Sequence, residues 1–124
     1  MEKNYEDLEQ RLERFAITGV KVTEKMPSIP AGRYYADQLL RASGSAALNY
    51  AESQGGASHR DFSNKLKIVF KELRESHMAL RIIHGANLHS EPSGLLKVVN
   101  EAKELVAILA ASVRTAEQRS ARKN

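Results

Sequence analysis

The chain has 124 residues, which fits a single domain over residues 1–124, and its net charge is a modest +4. The absence of cysteine excludes a disulfide framework and a thiolate metal site. The polar N-terminus does not resemble a signal peptide, and no apolar run approaches the roughly 20 residues that span a bilayer, so we expect a cytoplasmic protein without membrane contact.

The first predicted helix follows one apolar seam near the N-terminus. Its positions alternate steps of four and three residues, the spacing of side chains on one face of an α-helix. The seam consists of Leu8, Leu12, Phe15, Gly19, Val22 and Met26. Pro27 and Pro30 end this helix, because proline lacks an amide donor and restricts the residue before it.

The second predicted helix runs from about Ala31 to Ser53 and is rich in small residues. Its seam contains Leu39, Ala42, Ala46, Asn49 and Ser53, and its middle reads RASGSAAL. Small side chains let two helix axes approach closely. Gly44 costs about 1 kcal/mol relative to alanine inside a helix, so we expect close packing to offset it. The pair Gly55 and Gly56 ends the helix.

Two longer helices follow. Ser58 can cap the third, whose seam contains Phe62, Leu66, Val69, Leu73, Ser76, Leu80 and Ile83. The break from His84 to Gly94 separates it from the fourth helix. The seam of that helix contains Leu95, Val99, Ala102, Val106, Leu109, Val113 and Ala116.

The four seams predict an all-α protein, an up-down-up-down antiparallel four-helix bundle. No segment shows the sustained alternation of apolar and polar residues that is typical of a strand. Short links make sequential helices antiparallel, and we predict breaks near Pro27–Ala31, Ser53–Ala57 and Gly85–Ser93. The last few residues are basic, and we expect them to form a disordered tail.

The fourth helix carries more apolar residues than one seam requires. The surplus consists of Leu96, Leu105, Ile108 and Ala111. It either thickens the core or forms a patch through which copies of the chain associate. We predict the second, a homo-oligomer with these four residues at its interface.

Three polar residues on the second helix, Ser45, Asn49 and Glu52, share one helix face. Such a set suits acid–base chemistry, a solvated edge, or hydrogen bonds that fix the register of neighbouring helices. We favour the last, with Asn49 and Glu52 largely buried and bonded to another helix or a second subunit. On the third helix, Glu75 or Arg74 is the expected partner.

A basic stripe runs along the third helix. Its members are Arg60, Lys67, Lys71, Arg74 and Arg81, and the C-terminal bases Arg119, Arg122 and Lys123 add to it. Such a stripe either tracks a nucleic-acid backbone or is an ordinary solvated face. We predict weak, nonspecific RNA or DNA binding at most.

The sequence offers little for an enzyme or a cofactor. None of the four histidines, which are His59, His77, His84 and His89, has a glutamate three residues before it, as a di-iron bundle requires. No serine has a histidine at a suggestive distance, and QGGAS lacks the lysine and preceding strand of a phosphate loop. We expect no metal, no cofactor, no small-molecule substrate and no catalysis.

Two blocks resemble a known family. The chain reads QLLRASGSAALNYAE from Gln38 to Glu52 and SHRDFSNKLKIVFKELRES from Ser58 to Ser76. In this order they are similar to the bacterial four-helix-bundle proteins encoded in intervening sequences of 23S ribosomal RNA genes. Tyr50 and His77 depart from the family pattern, which prefers an aliphatic residue at the first position and often an aromatic or acidic residue at the second.

The resemblance implies a fold and an assembly. Family members form barrel-like homopentamers, and a distant branch, the accessory variability proteins of retroelements, binds a reverse transcriptase and nucleic acid. We therefore expect a non-enzymatic, homo-oligomeric scaffold protein, a pentamer first and a dimer second. The alternative is an RNA-binding accessory protein that uses the basic stripe.

Overall fold

The computed structural model of the chain describes residues 7–56 and 58–123, with side chains described through residue 121. Within these residues it contains four α-helices and no strand, which confirms the predicted fold class. The helices are α1 (Leu8–Thr23), α2 (Pro30–Ser53), α3 (His59–Gly85) and α4 (Pro92–Lys123). The three links fall where the breaks were predicted.

The helix starts have local causes. Asp7 caps α1, since its side chain accepts a hydrogen bond from the Gln10 amide at 2.8 Å. Ser58 caps α3 in the same way, accepting from the Asp61 amide at 3.2 Å. Pro30 and Pro92 are the first residues of α2 and α4, where the missing amide hydrogen has no partner to lose.

The helix ends differ from the sequence expectation at two places. α1 ends at Thr23. The next residues form a tighter turn, in which an amide bonds to the carbonyl three residues back, as the Met26 amide does to the Thr23 carbonyl at 3.3 Å. α4 continues to Lys123, where we expected a disordered basic tail. Residues 114–123 contain neither glycine nor proline and are mostly good helix formers, which explains the extension.

Each helix packs against its neighbours in sequence, and α1 also contacts α4. Among the described residues, the diagonal pairs α1 with α3 and α2 with α4 make no close backbone contact. This arrangement is the predicted up-down-up-down bundle. Arg11 joins α1 to α4, because its Nε and Nη2 atoms each lie 2.8 Å from a carboxylate oxygen, of Glu101 and Glu104 respectively.

One of the four residues that were expected at the oligomer interface lies in the core of the bundle. Leu105 has no exposed surface and belongs to the central cluster. Ile108 is partly buried and packs against the same cluster, whereas Leu96 and Ala111 are exposed. α4 contacts both α1 and α3, so its buried arc is wider than one seam. The four residues therefore do not form one patch, and Leu105 is not available to a partner.

The close approach of α1 and α2 occurs at Gly19 and not at Gly44. A Cβ atom added to Gly19 would lie 2.5 Å from Ser43 Oγ, a hydroxyl that is buried without a hydrogen-bond partner. A Cβ atom added to Gly44 would meet no atom of the described residues within 4 Å. Close packing was expected to offset the propensity cost of Gly44, and the described residues of one chain supply no such packing there.

This contrast gives a matched pair of substitutions. We expect Gly19→Ala to lower the free energy of unfolding by about 1–2 kcal/mol, because displacing the buried Ser43 side chain costs more than the roughly 1 kcal/mol of helix propensity that alanine adds. Gly44→Ala should raise it by up to about 1 kcal/mol through helix propensity. Urea denaturation in dilute solution, followed by circular dichroism, measures both. Equal effects of the two changes would contradict the assignment of the contact to Gly19.

Candidate functional site

A continuous polar network joins α2 to α3. On α2 its members are Arg41, Ser45, Asn49 and Glu52, at steps of about one helical turn, and on α3 they are Lys65, Glu72 and Glu75. Because the two helices are antiparallel, residues early in α2 face residues late in α3. Glu52 therefore meets Lys65 next to the link, and Arg41 meets Glu75 far from it.

The contacts are direct hydrogen bonds. Arg41 Nη1 lies 3.2 Å from Glu72 Oε1, and its Nη2 donates to Glu75. Ser45 Oγ donates to Glu72 Oε2 at 3.0 Å. Asn49 Nδ2 donates to the Ser45 carbonyl at 2.9 Å, and Lys65 Nζ donates to Asn49 Oδ1 at 3.3 Å and to Glu52 Oε1 at 2.6 Å. Each carboxylate thus has a cationic partner.

The network agrees with the predicted polar cluster in part. Asn49 and Glu52 do bond to another helix, but within one chain Glu52 is exposed and Asn49 is only half-buried, so the pair is not largely buried as expected. Their partner is Lys65 and neither Glu75 nor Arg74, because the antiparallel register places Glu75 opposite Arg41.

Sequence reasoning missed Arg41, Lys65 and Glu72. Glu72 is the most buried acid of the network at 8% exposure. Its place between Val69 and Ser76 on the apolar seam of α3 was the sequence signal that could have identified it.

Arg41 extends the polar face of α2 by one turn before Ser45. The hydrogen bond to Glu75 raises the pKa of Arg41 above its ordinary value, an effect that burial opposes and Glu72 reinforces. The paired charges suit a structural connection between helices.

The predicted basic stripe lies along one exposed face of α3. All five members, Arg60, Lys67, Lys71, Arg74 and Arg81, are exposed. Lys67 Nζ lies 3.1 Å from Glu117 Oε2 of α4, and the Arg74 guanidinium lies 5.8 Å from the centre of the Phe70 ring. Arg60 and Lys67 also line a polar cleft of about 600 Å³ between α3 and the end of α4.

The C-terminal bases do not all join the stripe. Arg119 lines a different, apolar groove beside Tyr50 and Phe62, and Ile108 and Ala111 line the same groove. Burial raises the pKa of the Tyr50 phenol there, and Asp7 and Glu9 add to the shift. The side chains of Arg122 and Lys123 lie outside the described part of the structure.

A second apolar groove runs between α1 and α2 on the outside of the bundle. It has a volume of about 430 Å³. Its walls carry Ile17 and Val20 of α1 and Leu48 of α2, all exposed, and Leu48 is 67% exposed. Gly44 faces the groove. Among the described residues, the charged side chains that line the groove are Glu9 and Glu13.

Two of the four histidines, His59 and His89, contact backbone atoms. His59 Nε2 lies 3.1 Å from the Ala116 carbonyl oxygen, which connects the start of α3 to α4, and His89 Nδ1 accepts from the Glu91 amide at 3.0 Å. Within residues 7–56 and 58–123, no group of three or more histidine, aspartate or glutamate side chains is placed to hold a metal ion. Among the helices in these ranges, none combines the length and the hydrophobicity that a membrane-spanning segment needs.

Comparisons with known proteins identify relatives of this chain. A family profile described as 23S rRNA-intervening sequence protein matches residues 6–111. A crystal structure from Bacteroides thetaiotaomicron, of a protein with unknown function from the S23 ribosomal protein family, is similar with a TM-score of 0.73 at 21% sequence identity. The match covers 86% of this chain and 98% of the Bacteroides chain. At this identity the likeness bears on the fold alone. No curated protein sequence matches the chain.

Proposed function

The chain belongs to the 23S rRNA-intervening sequence protein family, and from that premise we propose that it is a non-enzymatic interaction protein that assembles with copies of itself in the cytoplasm. The supporting observation is the apolar groove between α1 and α2. Leu48, Ile17 and Val20 leave apolar surface in water there, and covering it is favourable by roughly 25 cal/mol per Å².

The composition of the polar network also supports a role without catalysis. Its carboxylates are paired with Arg41 and Lys65, so their hydrogen-bonding capacity is used in joining α2 to α3. The number of subunits is proposed from the family resemblance, which implies a pentamer, and a dimer is our second expectation. The groove itself requires only that some second surface covers it.

Two matched leucine substitutions test the self-assembly. Leu48→Glu places a charge in the groove, and we expect the assembly to dissociate while the helical content stays unchanged. Leu96→Glu introduces the same charge on α4, at a leucine that is 44% exposed and lies outside the groove, and we expect it to leave the assembly intact. Size-exclusion chromatography with light scattering compares both with the unchanged protein. Dissociation by Leu96→Glu alone would reject the groove as the interface.

A second candidate function is weak nucleic-acid binding by the basic face of α3. The five exposed cations and the cleft beside Arg60 and Lys67 support it, and the family description, which refers to 23S rRNA, is consistent with an RNA partner. The pairing of Lys67 with Glu117 weakens this candidate, since it neutralises one of the cations.

Binding of a labelled single-stranded RNA, measured by fluorescence anisotropy, tests this candidate. We expect weak binding that falls steeply with added salt, because each phosphate that the protein neutralises releases counterions. Arg60→Glu should reduce the affinity, whereas Lys21→Glu, which changes the net charge equally at an exposed lysine of α1, should affect it much less. Equal losses would indicate that only net charge matters, and no loss would reject the stripe.

A further inference from the structure

We propose that the α1–α2 groove binds the outer face of α3 from a second copy of this chain. This inference rests on the proposed self-assembly and names the two surfaces that make it. The groove has the shape, the polarity and the charge to accept a helix, and the chain itself presents a helix face with the complementary properties.

The shape of the groove depends on Gly44. A glycine in the interior of α2 is unfavourable for the isolated helix, and no residue of the described ranges occupies the space that a Cβ atom at Gly44 would take. The neighbouring groove residues Ala47 and Ala51 are small as well. A floor of small residues lets the axis of an incoming helix come close to α2, while Leu48 and Ile17 pack against its sides.

The charge of the groove is negative at one end. Glu9 and Glu13 line it, and Ile17 follows Glu13 by one helical turn, or about 6 Å along α1. The groove therefore changes from acidic to apolar within two turns. An incoming helix that matches it needs cations followed, one turn later, by an apolar side chain.

The outer face of α3 has this pattern. Lys71 and Arg74 are exposed, and Met78, which is exposed as well, follows Arg74 by one turn. A helix laid along the groove can therefore pair Lys71 and Arg74 with the two glutamates while Met78 contacts Ile17 and Leu48. The flexible thioether of methionine adapts well to such an irregular apolar surface.

The two surfaces lie on different sides of the bundle, because α3 is diagonal to α1. A contact between them is heterologous, so each copy offers one groove and one α3 face. Such contacts repeat from copy to copy and close into a ring when the rotation between copies permits. In this arrangement Lys71 and Arg74 are covered, so the RNA affinity of the assembled protein would rest on the remaining cations of the stripe, Arg60, Lys67 and Arg81.

The chain contains no cysteine, so cysteine cross-linking can test the contact without a background reaction. Leu48→Cys and Met78→Cys each place a thiol at an exposed position, one on each surface. Under mild oxidation, we expect an equimolar mixture of the two variants to form a disulfide-linked dimer much faster than either variant alone. Leu96→Cys replaces Met78→Cys as the control and should not cross-link to Leu48→Cys. Equally fast self-linking of Leu48→Cys would indicate a two-fold contact and overturn the proposal.

Charge reversal tests the pairing independently. Glu13→Lys and Arg74→Glu should each weaken the assembly by about tenfold or more, and the double variant should regain most of the loss. A double variant no better than the singles would overturn the proposed pairing. If the unchanged protein is monomeric, the proposed self-assembly fails and this contact with it. If it is an oligomer in which the mixed thiols do not link, only the contact proposed here fails.

Discussion

Replacing Leu105 with alanine will lower the free energy of unfolding by about 2–5 kcal/mol, because the substitution leaves a cavity among close-packed leucines. Leu105 has no exposed surface and belongs to the central cluster with Leu109 and Ala102. Leu96→Ala is the matched control on the same helix. Since Leu96 is 44% exposed, we expect its effect to stay within about 0.5 kcal/mol.

Chemical denaturation followed by circular dichroism gives both values. Leu105 and Leu96 both lie off the predicted seam of α4. Comparing the two alanine variants therefore shows which of these leucines is in the core and which is on the surface. A small effect of Leu105→Ala, together with loss of assembly, would show that this residue faces a partner and not the core of its own chain.

Replacing Arg41 with methionine should destabilise the chain by about 1–3 kcal/mol, because it leaves the carboxylate of Glu72 without its cation. Glu72 is largely buried between α2 and α3, so water replaces the lost partner only in part. Half of the Arg41 side chain is exposed, which places the expected effect below that of a fully buried ion pair.

The control and the second variant make this prediction specific. Arg33→Met removes an exposed arginine from the same helix and should change the free energy of unfolding by less than about 0.5 kcal/mol. The double variant Arg41→Met with Glu72→Gln removes the unpaired charge and should recover part of the loss. If Arg41→Met is as silent as Arg33→Met, the network does not hold α2 against α3.

Helix periodicity and punctuation were sufficient to predict the fold. The seams located all four helices, and the proline and glycine positions located the links. In α4 the sequence left open which residue after Ala102 is buried. Three residues further along the chain is Leu105, and four residues further is Val106. Both satisfy a helical period, and only the position of α4 between α1 and α3 decides that Leu105 is the buried one.

The surfaces were harder to predict because they depend on register between helices. Ser45, Asn49 and Glu52 were correctly placed on one face, but their partners follow from which turn of α3 stands opposite each turn of α2. The open groove depends on how far apart the outer faces of α1 and α2 lie, and the sequence does not encode this in any local pattern. The exposure of Leu48 could not be predicted from the sequence for the same reason.

Sedimentation equilibrium of the unchanged chain at micromolar concentrations tests self-assembly most directly. The chain mass is 13.8 kDa, and we expect a mass that is a multiple of it, with a pentamer as the first expectation and a dimer as the second. Added salt should weaken the assembly if Glu9 and Glu13 take part in it. A single species of 13.8 kDa across the concentration range would contradict the account.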